Sequence, residues 1–196
     1  MLDELLSNIQ HGMYHVLNVK AYDHILFLIV LSVPYLFKDW KRLLFLVTIF
    51  TLGHTLSLAL TTYDVINVNA KLVEFLIPIT ILIIALYNVF TAGKKAQNEK
   101  VGLLFFATLF FGLVHGLGYV STFESLINSS NNKLISLLEI SLGIEFGQLI
   151  VAFIVLFIGF LCQTIFRFSK RDWVMVISAV VVGLLIPMLI HSELLS

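Results

Sequence analysis

Residues 41–61 read KRLLFLVTIFTLGHTLSLALT. Two basic residues open the stretch, and from Leu43 to Thr61 there is no Asp, Glu, Lys or Arg. A helix crossing the ~30 Å hydrocarbon core of a bilayer needs about 20 mostly apolar residues. This segment has that length, and Lys41 and Arg42 mark the end at which it stops. Its interior holds His54, an ionisable residue that lipid disfavours.

Five further segments of the same kind lie on either side, at roughly 22–37, 71–92, 101–126, 134–161 and 173–190. The first is short and contains Pro34, and 134–161 is long enough to tilt or project from the bilayer. Of the 196 residues 59% are hydrophobic and 12% charged, with a mean hydropathy of +1.01. A soluble domain carries about 25% charged residues, so a soluble core is excluded. The predicted fold is all-α, a polytopic membrane helix bundle of about six transmembrane helices. Residues 1–196 are expected to form a single transmembrane domain, with 1–20 as an amphipathic interfacial segment and 21–190 as the bundle. In the former, Leu2, Leu5, Leu6, Ile9, Met13, Val16 and Leu17 fall near helical spacing, as in a helix lying on the membrane surface. Asp3 and Glu4 without a positive region argue against a cleaved signal peptide. A net charge of zero carries no footprint for nucleic acid. Cys162 is the single cysteine, which excludes an internal disulfide.

The basic residues alternate between loops. Lys38, Lys41 and Arg42 precede the second span, Lys94, Lys95 and Lys100 the fourth, and Arg167, Lys170 and Arg171 the sixth. The remaining two loops offer Lys71 and Lys133 alone. The positive-inside rule therefore places both termini outward.

That orientation assigns depths to the polar residues. Asp23 and His24 stand at the outer end of the first span. His54 lies 13 residues and His115 14 residues into outward-running spans, about 20 Å at the helical rise. Glu145 is 11 residues into the fifth span, and Glu74 lies near the outer start of the third. Gln148 shares the face of Glu145. Groups from five helices at similar height point to one site, with Glu74 and Gln148 expected behind its ligands. Each alone also fits a hydrogen bond between helices, worth about 1–2 kcal/mol. His11 and His15, spaced i, i+4, share a helix face that can hold a divalent ion or simply be solvated, and His191 reads as a terminal surface residue. Gly53 next to His54, Gly112, Gly116 and Gly118 around His115, and Gly143 and Gly147 around Glu145 permit close helix approach.

Imidazole with carboxylate suits nickel, cobalt, zinc and copper, whereas oxygen-only sites suit magnesium and calcium. A transporter, a zinc hydrolase with an open coordination position and a proton relay all satisfy this residue set.

Four motifs in order resemble the HupE/UreJ family: Tyr22–Leu28 (YDHILFL), Phe50–Leu58 (FTLGHTLSL), Phe111–Gly118 (FGLVHGLG) and Gly143–Gln148 (GIEFGQ). The similarity spans about residues 11–160, although seven residues separate His15 from Asp23 and Lys20-Ala21 stand where the family places glycine. The resemblance implies a metal permease or accessory protein of the bacterial cytoplasmic membrane, linked to nickel or cobalt uptake for hydrogenase or urease. It carries His15, Asp23, His24, His54, His115 and Glu145 over as metal-handling residues. The leading expectation is nickel or cobalt transport, with a membrane-embedded zinc hydrolase as the alternative. The expected partners are the lipid bilayer and a divalent transition metal, not nucleic acid; a homo-oligomer is compatible with the pattern.

Overall fold

The computed structural model describes residues 2–20, 22–93, 101–118, 127 and 132–192. Among them the chain is all-helical: α1 (Leu2–Leu17), α2 (Asp23–Ser32), a 3-10 turn (Phe37–Asp39), α3 (Trp40–Thr62), α4 (Ala70–Thr91), α5 (Val101–Leu117), α6 (Lys133–Thr164) and α7 (Lys170–Ile190). Four stretches are long and apolar enough to cross a membrane: Phe37–Thr62, Ala70–Thr91, Lys133–Thr164 and Lys170–Ile190. Asp23–Ser32 and Leu104–Leu117 are shorter apolar helices. The expected continuation of the fourth span from 119 to 126 lies outside the described residues, as do Lys94, Lys95 and Lys100.

Local chemistry sets the helix ends. Asn69, Asn132 and Ser169 cap α4, α6 and α7 by accepting backbone N–H groups of their first turns. Gly93 follows α4 at φ 85°, a left-handed conformation that costs glycine little. Pro34 stops α2 because it has no N–H to continue the ladder. The carbonyl of Val30, which residue 34 would otherwise satisfy, accepts instead from Asn88 Nδ2 on α4 at 2.7 Å. A buried polar residue on one helix thus repairs the break in another.

The expectation of a surface-lying N-terminal helix meets a different packing. α1 runs parallel to α6 and buries Asn8, Gly12, His15 and Val16. A methyl group on Gly12 would overlap the Ile140 carbonyl, and one on Gly143 the Ile9 carbonyl, so the two backbones are in direct contact. Asn8 Nδ2 donates to Glu139 Oε2 at 2.7 Å near the start of this seam. Three glycines, with Gly147 against Met13 and Val16, let α1 bury its face in protein. α2 continues in the same direction, and Phe37 beyond it packs on Phe153 and Phe160 of α6, ring centroids 6.0 and 5.9 Å apart. α1 and α2 are therefore stacked end to end along α6, meeting where His15 faces His24.

A second parallel pair is equally close. Gly112 and Gly116 of α5 lie on the backbone of Phe50 and His54, and Gly53 of α3 lies on Leu109. α4 packs with α7, and α3 meets α6 through hydroxyl contacts including Thr55 to Ser141 at 2.8 Å. The core between these pairs is filled by Phe27, Phe50, Leu58, Ile81, Ile140 and Ile144.

Candidate metal centre

Four histidines on four helices converge at the junction of α1 and α2. His15 closes α1, His24 opens α2, His54 sits on α3 and His115 on α5. His54 is 0% exposed, His115 1%, His24 2% and His15 5%. One ring nitrogen each of His15, His24 and His54 lies within 4.8 Å of the others. Imidazole nitrogens at 2.0–2.1 Å from one ion are separated by up to about 4 Å, so a small inward movement brings these three into coordination range. The His115 ring stands 5.4 Å from that of His24, centroid to centroid.

The backbone places these rings. Because glycines 53, 112 and 116 let α3 and α5 touch, His54 and His115 descend into one space instead of being held apart by side chains. His115 Nδ1 donates to the carbonyl of Phe111 at 2.8 Å. That bond puts the ring proton on Nδ1 and leaves the Nε2 lone pair as the ligand. Asp23 Oδ1 lies 3.4 Å from His24 Nδ1, with the same consequence for His24 Nε2. His24 Nε2, His115 Nε2 and both ring nitrogens of His54 are buried with no hydrogen-bond partner among the described residues. Buried polar atoms are as a rule satisfied, so a set of lone pairs aimed into one space fits a metal ion. The donor set, imidazole with one supporting carboxylate, fits a borderline transition metal.

One helical turn from each of three histidines stands a phenylalanine: Phe27 after His24, Phe50 before His54 and Phe111 before His115. Phe27 and Phe50 are stacked 4.2 Å apart, and each lies within 5.2 Å of His115. They form an apolar floor under the imidazoles. Beyond it a cavity of about 270 Å³ is lined by Val30, Leu31, Asn88, Thr108 and Phe111 among others.

The other sequence candidates lie elsewhere. Glu145 is bonded to α3, accepting from Thr48 Oγ1 at 2.6 Å and from Thr51 Oγ1. Gln148 joins that network, its Oε1 2.9 Å from Thr51 Oγ1. Glu74 is exposed on α4. His11 is exposed and donates from Nδ1 to Ser7 O, and exposed His191 does the same to Pro187 O. Sequence reasoning missed Thr48 and Thr51, although Thr48, Thr51 and His54 follow one another at intervals of three residues and mark one polar face of α3.

A protein family described as HupE / UreJ protein matches the chain over residues 1–193. No curated protein and no solved structure matches it.

Proposed function

The chain belongs to the HupE/UreJ family, and on that premise we propose that it carries nickel or cobalt across the bacterial cytoplasmic membrane through the four-histidine centre. The observation that carries this reading is the convergence of His15, His24, His54 and His115, from four helices, on one buried space. Neutral imidazoles can replace the water around a borderline divalent cation and still release it. Asp23 orients His24 and offsets part of the ion's charge. The stacked Phe27 and Phe50 close the space on one side, as an ion pathway needs if it is never open to both faces at once.

In this reading the chain crosses the bilayer six times. α2 has 10 residues and spans half the bilayer at 1.5 Å per residue; α1, with 16, supplies the other half. The two form a single crossing interrupted between Leu17 and Asp23, with α3 to α7 as the other five. Interrupted helices whose facing ends line an ion site are a recurrent transporter design. An even number of crossings puts both termini on one side, and the basic loops make that side the outside. The histidines then sit near the middle of the bilayer, where the two halves of the first crossing meet, and the cavity beyond Phe111 lies on the cytoplasmic side.

A zinc hydrolase that activates its water with a carboxylate base would hold one free beside the metal. Glu145 is bonded to two threonines and Asp23 is paired with His24, so neither supports that role. Uptake of radiolabelled nickel by cells producing the protein tests the proposal. Expected is loss of uptake in the His54→Ala, His115→Ala double variant, with the protein still present in the membrane. Equal uptake by variant and wild type would sink it.

A further inference from the structure

Transport against a gradient needs a driving ion, and a second polar cluster stands beside the histidines. We propose that Thr48, Thr51, Glu145 and Gln148, on the facing sides of α3 and α6, form a separate site for a sodium ion.

The donor set differs in kind from the imidazoles. Thr48 Oγ1 lies 2.6 Å from Glu145 Oε1, and Thr51 Oγ1 contacts Glu145 Oε2. Thr51 Oγ1 is also 2.9 Å from Gln148 Oε1 and 3.1 Å from the carbonyl of Val47. Oxygens only are gathered here, and oxygen-only sites select hard cations over nickel or cobalt. The count of hydrogens points the same way. One hydroxyl hydrogen on Thr51 faces three acceptor oxygens, so at least two of those contacts have no proton of its own to hold them. A small cation takes lone pairs from all of them at once.

Gln148 supplies an independent sign. It is 0% exposed, and its Nε2 has no hydrogen-bond partner among the described residues. An unpaired N–H donor does not itself attract a cation; the amide serves the site through Oε1, which faces Thr51 Oγ1 and keeps a lone pair for an ion. A fully buried amide left half satisfied is rare in native interiors.

Charge sets the valence. Among the described residues no lysine or arginine pairs with Glu145. A single carboxylate in a low-dielectric interior balances one positive charge. A divalent ion would leave an excess charge about one helical turn from His54, where the transported ion adds two more. Thr51 stands three residues from His54 on α3, about 4.5 Å along the axis, so filling the oxygen site draws α3 and α6 together directly beneath an imidazole ligand. Sodium entering down its own gradient can then bias the imidazole centre toward the state that releases inward. This coupling rests on the transport reading; the sodium site itself does not.

The test begins with the purified full chain in detergent, free of transition metal. Binding of ²²Na⁺ is measured at equilibrium with potassium as the background cation. Wild type is expected to bind one sodium per chain, Thr51→Val to lose about tenfold or more in affinity, and Thr51→Ser to restore it. Nickel binding by the same samples in sodium-free potassium buffer serves as the control for folding, and is expected there to be unchanged in Thr51→Val. Absence of sodium binding by wild type, or equal binding by wild type and Thr51→Val, overturns the site and leaves the cluster as contacts between helices. Nickel uptake that follows an imposed pH gradient and ignores sodium overturns the coupling in favour of a proton. Sodium bound in a Thr51-dependent way, with no nickel uptake by any form, supports the site and shows that it is the transport reading that fails.

Discussion

His115 and His24 are held in the same way by different means. A backbone carbonyl accepts the Nδ1 proton of His115, and a carboxylate stands beside Nδ1 of His24. In both rings Nε2 is left for a ligand, and the second partner fixes the ring. Asp23 thus acts through His24, which gives a specific expectation. Asp23→Asn keeps the size and a hydrogen-bond partner for Nδ1 but removes the charge, and should weaken metal binding by about 10–100-fold. Competition with a chelator of known affinity measures it, with His11→Ala and His191→Ala as comparisons expected to bind as wild type does. The histidines themselves were legible in the sequence, because an ionisable residue inside an apolar span has few structural uses. Their common height was legible too, since axial position follows from residue number at a constant rise. Glu145 shares that height but faces Thr48 and Thr51. Which neighbour a side chain meets depends on the rotation and contacts of its helix, and residue count does not contain them.

At the scale of helices, two glycine seams do the positioning. Gly12 and Gly143 bring α1 onto α6, and Gly53, Gly112 and Gly116 bring α3 onto α5. Each seam delivers histidines: His15 through the first, His54 and His115 through the second. Gly12→Ala places a methyl group on the Ile140 carbonyl, which is backbone and cannot swing aside. Overpacking of this kind costs about 1–3 kcal/mol. The variant should melt at lower temperature and bind metal more weakly as α1 carries His15 outward. Gly183→Ala, where nothing lies within 4 Å of the added carbon, should leave metal binding intact and raise helix stability slightly. Thermal melting with and without nickel separates the two outcomes; equal behaviour of both variants would show that the α1 seam does not support the site. The glycines were visible in the sequence as permitting close approach. Their partners were not, because a small residue specifies that something comes near without specifying what.

Over the whole molecule, the topology carries its own prediction. In a Cys162→Ser background, Ser7→Cys on the exposed face of α1 should react with a membrane-impermeant thiol reagent added outside intact cells. Lys41→Cys should react only after the cytoplasmic face is opened. The reverse pattern would invert the orientation drawn from the basic loops. The sequence by itself determined that this chain is an all-helical membrane protein, where its long apolar helices run, and to which family it belongs. Hydropathy, charge and motif are properties of the local chain, and lipid responds to them segment by segment. Only the tertiary structure decided that α1 lies along α6, that it stacks end to end with α2, and that His15 therefore joins the buried histidines. The physical reason is that an apolar helix face is equally content against lipid tails or another helix. The amphipathic pattern of α1 fits a surface helix equally well, because pattern alone does not name the apolar partner. That choice was made by backbone contact at Gly12, Gly143 and Gly147, between residues more than a hundred positions apart.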